Sequence, residues 1–449
     1  MYKEKITGKQ QDRNFQINIG LIGLGYIGSE VFRLIDRQKT YITKKIGKTL
    51  NLKTVADKDI ALRKDFISQY KNSGILFTDD PYSVINDSDI DVVVELIGGV
   101  DPAFEYIISA LKRGKYVVTA NKDLIAKKGA ELFKEAENSN VDILFEASVG
   151  GGIPIIGPLK SSLASNNISK IVGIVNGTTN FILTKMKDSN LDFKEALGMA
   201  QKLGYAEANP ASDVEGRDAA NKLAILASIA FNSRVRFDDV YREGIENISI
   251  SDINYADELG YNIKLLAIGS ELDEKINVRV HPALVPKKHI LSSIKDTFNA
   301  VYFYGNYSGE IMSFGRGAGD KPTASSVVGD IISIARNYDR DNKKIIFGCT
   351  CFENKDVMPF GESSDKFYIL MDVLDRAGVL AKIASVFGKF SVSIQSMVQK
   401  QTDSKGTARL IFITHDTINR NLYEAIEEIK KLDAVSRILN IIRVEELES

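Results

Sequence analysis

The chain has 449 residues, 44 % of them hydrophobic and 26 % charged, with a formal net charge of −1 at pH 7. This balance is typical of a globular protein of two to four domains, and it argues against nucleic acid or an anionic membrane as the main partner. No apolar run approaches the ~18 residues that cross a membrane, the polar N-terminal arm of 16 residues lacks a signal peptide's apolar core, and two cysteines spaced as CTC cannot form a zinc site alone, so we expect a reduced, cytoplasmic protein.

The first predicted element is a buried strand over residues 17–22, where the run INIGLI is almost wholly apolar. Gly23, Gly25 and Gly28 then form a G-x-G-x-x-G turn, and a helical pattern follows. In this order the glycines allow a tight turn, close approach of the backbone to a pyrophosphate, and close packing of helix on strand. N–H groups at the helix start face the phosphates. The sequence therefore predicts a dinucleotide-binding domain.

The second predicted strand, LKTVA, ends at Asp57, which lies 34 residues beyond Gly23. The ribose-binding acid usually lies about 20 residues past the motif, so residues 37–50 are predicted to form an inserted loop. Asp57 is suited to the ribose hydroxyls of NAD, whereas Lys58 is suited to the additional phosphate of NADP. Both are equally explained as solvated charges at a strand end. The choice of cofactor stays open.

Further strands are predicted at 91–99, 116–126 and 143–154, with a helix between the first two. Strands that alternate with helices indicate a parallel sheet covered on both faces. Cofactors bind at the carboxyl ends of such strands, and Lys122 lies at one of these ends. A surface lysine is the alternative interpretation, but the position favours a role in a site.

Three consecutive glycines, residues 150–152, follow Glu146 in the stretch EASVGGGIP. Glycine permits close backbone approach and dihedral angles that other residues avoid. Backbone carbonyl groups beside Glu146 are suited to a hard cation. The alternative is a strained crossover between two domains.

A dense group of charges precedes a helical run, residues 223–230, that is apolar almost all round. After a strand and turn over 170–183 and a helix over 192–204, four acids and one lysine of interest fall within 16 positions. They are Glu207, Asp213, Glu215, Asp218 and Lys222. Because buried charge is costly unless it is paired or used, this group is a candidate site. An amphipathic helix start with acids near its N-terminus is the alternative.

Proton transfer in an enzyme with this sequence falls to Lys, Asp or Glu. The three histidines, His281, His289 and His415, lie outside every Gly-rich or acid-rich cluster. Asp218 and Lys222 are four residues apart, so on a helix they share one face.

The last third of the chain is predicted to contain a glycine-rich loop and helix over 315–336, which returns to the nucleotide domain. A polar linker follows over 338–364. Residues 366–449 then alternate as strand, helix, strand, strand, helix, strand, which is typical of a ferredoxin-like sandwich.

Seven motifs, in this order, resemble the homoserine dehydrogenase family and cover roughly residues 15–335. They are GLGYIG, TANK, EASVGGGIP, NGTTN, LGYAEANP, DVEGRDAANKL and GRGAGDKPTASSVVGD. The resemblance implies NAD- or NADP-dependent interconversion of L-homoserine and L-aspartate 4-semialdehyde, on the route to threonine, methionine and isoleucine. A later stretch is similar to the strand-to-helix turn of ACT domains, which bind amino acids at interfaces. It comprises Asp375, Ala377, Gly378, Val379 and Leu380.

The implied fold class is α/β, with a Rossmann-like domain, an α+β catalytic domain and a ferredoxin-like ACT domain. The expected boundaries are 15–145 for NAD(P) binding, 146–310 for catalysis and dimerisation, 311–340 for the segment that returns to the nucleotide domain, 341–365 for the linker, and 366–449 for the ACT domain.

The resemblance also implies a role for each matching residue. Lys222 matches the family's proton donor, and Lys122 matches a lysine near nicotinamide and substrate. Glu207 and Asp218 match its substrate-holding acids. The matching cofactor-binding positions are Gly23, Leu24, Gly25, Tyr26, Ile27, Gly28, Asp57, Lys58, Ile97, Lys122 and Gly319. A sodium site formed largely by carbonyl groups matches Glu146, Val149, Gly151 and Ile153.

Three positions depart from the family's pattern. Asn209 replaces a usual Asp, Arg316 replaces a usual Pro, and Ala56 stands where many members have Arg. Only the last bears on function, because it leaves the preference for NADP open.

Two other functions stay open beside homoserine dehydrogenase. One is a dehydrogenase for another small amino-acid carbonyl, and the other is a regulator that binds nucleotide without turnover. The complete set of Glu207, Asp218 and Lys222 disfavours the regulator. The expected partners are the substrate pair, L-threonine at the ACT domain, and further copies of the chain in a dimer or tetramer. An ACT domain that only assembles subunits is the alternative.

Overall fold

The computed structural model describes residues 15–339, 341–401 and 406–447, so most of the predicted N-terminal arm lies outside it. Its first part contains a six-stranded sheet. The strands are β1 (Gln16–Ile22), β2 (Thr49–Ala56), β3 (Leu76–Thr78), β4 (Val92–Glu95), β5 (Tyr116–Thr119) and β6 (Ile143–Leu144). The helices are α1 (Tyr26–Ile46), α2 (Lys64–Ser68), α3 (Tyr82–Ile85), α4 (Asp101–Lys112) and α5 (Lys122–Asn138). The strand order β3-β2-β1-β4-β5-β6, parallel throughout, confirms the predicted doubly wound sheet.

The predicted inserted loop at 37–50 is wrong, because α1 continues to Ile46 and β2 begins at Thr49. The helix keeps one apolar face along its length, with Val31, Phe32, Ile35 and Ile42 buried. It ends where Gly47 adopts a left-handed conformation (φ 74°) and donates its N–H to the Thr43 carbonyl. The additional residues before Asp57 are therefore turns of helix.

The second part is a mixed layer of helices on a sheet. Its helices are α6 (Ile156–Lys160), α7 (Gly177–Ser189), α8 (Phe193–Lys202), α9 (Ala211–Val214), α10 (Arg217–Ala230) and α11 (Ile250–Glu258), and α12 (Asp320–Asn337) follows its last strand. Its strands are β7 (Ile168–Ile174), β8 (Tyr241–Arg242), β9 (Tyr261–Leu272), β10 (Lys275–Pro286), β11 (Phe298–Gly305) and β12 (Gly309–Arg316). Strands β12-β11-β7-β9-β10 are antiparallel in that order, and α10 packs against β9 and β10.

The segment 311–340 divides between the two parts. Its first six residues complete β12 of the second sheet, whereas α12 packs on α1 of the first part. Lys48, just beyond α1, donates from Nζ to the carbonyls of Ala335 (2.8 Å) and Tyr338 (2.6 Å). The chain therefore returns to the nucleotide domain through α12.

The third part has the predicted ferredoxin-like order. Its elements are β13 (Ser364–Leu374), α13 (Val379–Lys389), β14 (Ile394–Gln401), β15 (Thr407–Thr414), β16 (Thr417–Ile418), α14 (Asn419–Ile429) and β17 (Val435–Val444). The antiparallel order is β17-β13-β15-β14, and β16 adds a short pair to β13. Both faces of β13 are buried: Phe367 and Ile369 face the helices of this domain, while Tyr368 and Leu370 join the core of the rest of the chain.

A single sheet joins the second and third parts. β17 pairs in parallel with β10, with Ala283 opposite Arg443 and Leu284 opposite Val444. The resulting sheet has 11 strands among the described residues. The joint between these domains therefore consists of main-chain hydrogen bonds as well as side-chain packing.

Buried charges at this joint form what we call the junction cluster, which comprises Arg279, Asp365, Arg443 and Glu445. Arg279 Nη2 lies 2.9 Å from Glu445 Oε1 and 3.0 Å from Asp365 Oδ1. Arg443 approaches Asp365 at 3.4 Å and Glu243, on the loop after β8, at 2.9 Å. Each cluster member has at most 9 % of its side chain exposed, so every charge here is buried and has an opposite partner.

The predicted linker lies against the first domain. One carboxylate oxygen of Asp142 accepts the N–H groups of Ile346 (3.0 Å), Phe347 (2.7 Å) and Gly348 (3.0 Å). Further along, Ile276 of β10 exchanges main-chain hydrogen bonds with residues 356 and 358. The segment is thus held in place at both ends.

Candidate active site

The N-terminal end of α10 places two charged side chains one turn apart. Gly216 precedes the helix in a left-handed conformation (φ 78°), and Asp218 follows in the first turn. Lys222 Nζ lies 2.6 Å from Asp218 Oδ2 and donates a second hydrogen bond to the Val175 carbonyl at 2.8 Å. An ammonium group has three N–H donors, so Lys222 keeps one that no described residue uses.

Asp218 collects partners from three elements. Besides Lys222, it accepts a hydrogen bond from Asn176 Nδ2 at 2.9 Å and lies 3.4 Å from Lys122 Nζ. Asn176 is the N-cap of α7, and its side-chain amide also donates to Asp213 at 2.7 Å. We call Asp218, Lys222 and Lys122 the active-site cluster, in which one carboxylate faces two ammonium groups.

The electrostatics favour a charged cluster. Burial alone would raise the pKa of the Asp218 carboxyl, but the charges of Lys222 and then Lys122 hold that pKa below its usual value. Burial would lower the pKa of Lys122, and the charge of Asp218 instead holds it above its usual value. Burial, together with the charge of Asp218, raises the pKa of the neighbouring Asp213. Within the active-site cluster, two ammonium groups therefore face one ionised carboxylate.

Lys122 comes from the nucleotide domain and is placed by the edge of its sheet. It is the first residue of α5, directly after the carboxyl end of β5. Asn121 caps this helix by accepting the N–H of Leu124 at 3.1 Å, and it donates to the Gly99 carbonyl at 2.6 Å. The cluster thus lies where the nucleotide domain meets the second domain.

Two polar contacts near the active-site cluster were missed by the sequence reasoning. Asn221 donates to Asp123 at 2.8 Å, which ties α10 to α5. Glu95, at the end of β4, is fully buried and accepts from Thr119 at 2.7 Å and from the Ile97 N–H at 2.8 Å. A Glu within the apolar run DVVVEL was a signal that could have identified the second contact.

The remaining charges of the group are outside the cluster. Glu207 is exposed in the loop after α8, and its carboxylate makes no hydrogen bond or ion pair with a described residue. Gln201 holds this loop by donating to the Glu207 carbonyl at 3.1 Å. Glu215 pairs instead with Arg217 at 2.6 Å on the surface.

A cleft at the carboxyl ends of β1, β2 and β4 contains several of the predicted cofactor residues. Its lining includes Gly23, Gly25, Asp57, Lys58 and Ile97. The sequence reasoning missed Arg63, Pro81 and Tyr106, which also line it. The glycine turn between β1 and α1 is tight, since a Cβ on Gly28 would come within 2.0 Å of the Gly23 carbonyl oxygen.

The side chains at the glycine turn point in different directions. Leu24 is buried, Ile27 is half-buried, and Tyr26 is exposed. The Leu24 N–H donates to one carboxylate oxygen of Asp57 at 2.5 Å, and the other oxygen accepts the Asp59 N–H at 2.8 Å. Asp57 therefore stabilises the turn itself.

The second glycine-rich loop returns to the first domain beside the triple glycine. Gly319 precedes α12 with φ 114°, and a Cβ on Gly151 would come within 2.5 Å of the Gly317 carbonyl oxygen. The Gly152 N–H donates to the Arg316 carbonyl at 3.2 Å. The two loops thus approach each other closely enough that glycine is required at position 151.

The predicted cation site has its carboxylate already occupied. Glu146 accepts the N–H groups of Ile155 (2.6 Å), Ile156 (2.8 Å) and Gly157 (2.6 Å) at the start of α6. The carbonyl oxygens of Val149, Gly151 and Ile153 accept no hydrogen bond from a described residue. Across 15–339, 341–401 and 406–447, no group of three His, Cys, Asp or Glu side chains is arranged to hold a metal.

Three family models match the chain. The model described as "Homoserine dehydrogenase" matches residues 154–332, "Homoserine dehydrogenase, NAD binding domain" matches 23–146, and "ACT domain" matches 367–434. No helix in the described part of the chain is long and apolar enough to cross a membrane.

Similar proteins extend over almost the whole chain. A homoserine dehydrogenase of Corynebacterium glutamicum is 43 % identical over 434 residues, covering 96 % of each chain. One of Bacillus subtilis is 40 % identical over 430 residues, covering 96 % of this chain and 98 % of the relative. The crystal structure of a homoserine dehydrogenase from Thiobacillus denitrificans superposes with a TM-score of 0.89 at 39 % identity, covering 96 % and 98 %. A hyperthermophilic archaeal homoserine dehydrogenase in complex with NADPH has a TM-score of 0.61 at 28 % identity, covering 72 % of this chain and 99 % of that one.

Proposed function

The chain belongs to the homoserine dehydrogenase family, and from that premise we propose which of its residues carry the interconversion of L-homoserine and L-aspartate 4-semialdehyde. One observation carries the proposal: Asp218 is shared by Lys222 of the second domain and Lys122 of the nucleotide domain, at 2.6 and 3.4 Å. At this boundary between the two domains, the nicotinamide of a bound dinucleotide and a small substrate can meet.

Lys222 is the proposed proton donor. When bound, the nicotinamide supplies a hydride to the aldehyde carbon, which leaves negative charge on the aldehyde oxygen. The unused N–H of Lys222 can donate to that oxygen, stabilise the charge and transfer the proton. In the direction of homoserine oxidation the same amine takes the hydroxyl proton.

Asp218 and Lys122 are proposed to position that reaction. Asp218 fixes the Lys222 ammonium through a 2.6 Å contact. Lys122 has two donors that no described residue uses, so it can hold the substrate from the side of the nicotinamide. The two lysines thereby approach the reacting oxygen from both domains.

Glu207 is proposed to bind the α-ammonium group of the substrate. Its carboxylate has no described partner, and its loop follows α8 directly. An exposed, unpaired carboxylate is available to a cationic ligand without first breaking an ion pair. Glu215, already paired with Arg217, is less available.

The cleft beside β1 and β2 fits a dinucleotide, and its lining supports NADP as a cofactor. Lys58 and Arg63 lie near Asp57 in this cleft, so a 2′-phosphate would meet two cations. Asp57 already uses both carboxylate oxygens within the turn, which leaves less of it for the ribose hydroxyls of NAD. Comparing kcat/KM for NADP and NAD in the parent and in Arg63→Gln tests this: the ratio should fall in the variant.

A monovalent cation is proposed at the triple glycine. The carbonyl oxygens of Val149, Gly151 and Ile153 are without a described donor, although Val149 and Ile153 are buried. Oxygen ligands of this kind suit a hard cation. If sodium binds there, NaCl should raise the melting temperature more than choline chloride does at equal ionic strength.

L-threonine is the proposed ligand of the turn between β13 and α13. Residues Asp375 to Gly378 are exposed, Gly378 adopts φ 87°, and no side chain caps the N–H groups of α13. A helix start of this kind suits a carboxylate. A chain ending near Lys343 would lose β17 and leave Arg279 without its partners, so the test belongs in the full chain.

Threonine should inhibit the full chain, and Asp375→Ala should weaken that inhibition without changing basal turnover. Equal inhibition of both proteins would place threonine in the active site. A lack of inhibition in both would mean that the domain takes another ligand or only assembles subunits.

A homo-oligomer is proposed from the outer hairpin of the second sheet. Strand β12 is an edge strand, and Tyr307 and Phe314 on this hairpin are 86 % and 50 % exposed. Exposed apolar side chains at a strand edge favour pairing with a second copy. Light scattering of the parent and of Phe314→Glu measures whether this hairpin contributes to the oligomeric state.

A spectrophotometric assay tests the reaction itself. Purified full-length protein should form reduced nicotinamide from L-homoserine with NADP or NAD, and kcat/KM should be highest for this substrate. A higher kcat/KM for another small hydroxy amino acid would favour the second dehydrogenase hypothesis. Nucleotide binding without turnover would favour the regulator.

A further inference from the structure

A small cavity lies between α5, α6 and the C-terminal half of α10, and the linker closes it. Its wall includes Phe133, Lys160, Ser228 and Arg234, and residues 349–351 complete it. Ser228 is six residues beyond Lys222 on α10, or ~9 Å along the helix. The cavity is therefore separate from the substrate site but shares two helices with it.

Both cysteines of the chain meet at this cavity. Arg234 Nη2 lies 3.6 Å from Cys349 Sγ. Cys351 donates its thiol to the Ser228 carbonyl at 3.6 Å, and it is also a neighbour of the Cys349 thiol. Cys349 is exposed to solvent while Cys351 is partly covered. The outer cysteine is thus accessible, and the inner one supports it.

Two cations face the outer cysteine, and the charge of Asp142 acts on one of them, Lys160. Besides Arg234, Lys160 contributes positive charge, and its Nζ is fixed by a 2.6 Å bond to the Gly348 carbonyl. The nearby Asp142 already accepts three main-chain N–H groups from the linker. The hydrogen bond from Cys351 and the charges of Arg234 and Lys160 lower the pKa of the Cys349 thiol to about 5, and the same contact raises that of Cys351.

This arrangement differs from that of a structural cysteine. Buried structural thiols lie in apolar surroundings and are inert, whereas reactive thiols are exposed, lie among cations and often have a second cysteine beside them. Cys349 and Cys351 match the second description in exposure, charge and spacing. A packing role alone would not require a guanidinium group 3.6 Å from the sulfur.

We propose that Cys349 and Cys351 form a peroxide-reactive thiol pair in the linker between the catalytic and ACT domains. The Cys349 thiolate attacks one oxygen of a hydroperoxide, the O–O bond breaks, and an alcohol or water leaves after taking up a proton. Cys349 becomes a sulfenic acid. The Cys351 thiol then attacks that sulfur, water leaves, and a Cys349–Cys351 disulfide forms. The two thiols lose two electrons, which the hydroperoxide takes.

The disulfide removes the anion that faces Arg234 and Lys160. It also ties residues 349 and 351 together beside the end of α10, where Ser228 and Arg234 hold the linker. Oxidation therefore acts on the segment that connects the two domains, at a distance from the substrate.

The first test measures alkylation of Cys349 in the full chain by iodoacetamide as a function of pH. The midpoint is the readout, because a less basic thiolate is also a weaker nucleophile and the rate at one pH is ambiguous. We expect a midpoint near pH 5 in the parent and a rise of about one unit in Arg234→Gln. The Cys349→Ser variant is the control that shows which part of the alkylation comes from Cys349. A midpoint near that of a free thiol, about 8.5, overturns the proposal, as does no shift in Arg234→Gln.

The second test adds stoichiometric hydrogen peroxide and measures intact mass. The parent should lose two hydrogens, and Cys351→Ser should instead accumulate a sulfenic acid that dimedone traps. Cys349→Ser should do neither. The proposal of a thiol pair is overturned if the parent stops at the sulfenic acid, or if the parent does not react faster than Cys349→Ser. These readouts do not depend on dehydrogenase activity.

Discussion

Two buried groups of charge, the active-site cluster and the junction cluster, differ in how completely their charges are matched. The junction cluster has two arginines facing two carboxylates, each with at most 9 % of its side chain exposed. The active-site cluster has two lysines facing one carboxylate, and the Lys122 side chain is 32 % exposed. Burial of charge is common to both, so burial alone does not identify a site. The excess of ammonium groups over carboxylates, together with the partial exposure of Lys122, marks the cluster that can take a ligand.

The largest expected effect is a loss of stability when an ion pair of the junction cluster is removed. Arg443→Met should lower the free energy of unfolding by about 3–5 kcal/mol. It leaves the buried Asp365 with Arg279 alone, and it leaves the half-buried Glu243 without its ion-pair partner. Urea denaturation of the full chain measures the loss. Arg437→Met is the matched control, since its side chain is 64 % exposed against Asp372 and should cost at most about 1 kcal/mol. Equal losses in the two variants would contradict the contrast between buried and exposed pairs.

The second effect should appear mainly in turnover. Lys222→Met removes the proposed proton donor and should lower kcat by roughly 10²-fold or more, with cofactor affinity little altered. Steady-state kinetics and nucleotide titration measure the two quantities. Lys128→Met, at an exposed position on α5, should behave like the parent. Near-normal turnover in Lys222→Met would remove this residue from the proposed chemistry.

A third effect separates binding from chemistry. Glu207→Gln should raise the KM for L-homoserine by about 10-fold, or ~1.4 kcal/mol, and change kcat little, because it removes a partner of the α-ammonium group. Glu215→Gln is the control: it lies eight residues away, is also at the surface, and already pairs with Arg217. Similar KM values in both variants would mean that Glu207 does not contact substrate.

The smallest effect is a pH dependence of stability. The pKa of Asp218 is lowered in the folded chain, so its stabilising contribution is present above the pKa of an unfolded Asp, about 3.9. That contribution is lost as pH falls through the folded value. The difference in unfolding free energy between the parent and Asp218→Asn should therefore shrink from pH 6 to about pH 3. A constant difference would mean that the lysines do not stabilise the ionised carboxyl.

Much of the fold was predictable because its signals are local. The strand, glycine turn and helix around Gly23 are adjacent in sequence, and so are Asp192 and Glu195, which form a capping box at α8. The ferredoxin-like order followed in the same way from six alternating runs. The predicted loop at 37–50 was wrong because a spacing rule was preferred to the helical period that continues through Ile42.

The contacts that define the two clusters were not predictable from local pattern. Lys122 and Asp218 are 96 positions apart, and Arg443 meets Glu243 at a separation of 200. Side chains so distant in sequence meet only once the domains are assembled. Only the family resemblance placed Lys122 and Asp218 in one site, and nothing in the sequence reasoning indicated the junction cluster.

The pairing of β17 with β10 has a consequence for the order in which this protein can be completed during synthesis. β10 ends at residue 286, and its partner begins about 150 residues later at residue 435. At about 5–20 residues per second, the ribosome needs roughly 8–30 s to make that stretch. β8 covers this edge of β10 at Arg279 and Val280, but throughout this interval Ala283 and Leu284 lack their β17 partners. Such open main-chain groups invite association with other nascent chains. We therefore expect slowed elongation after residue 286 to increase aggregation of newly made protein.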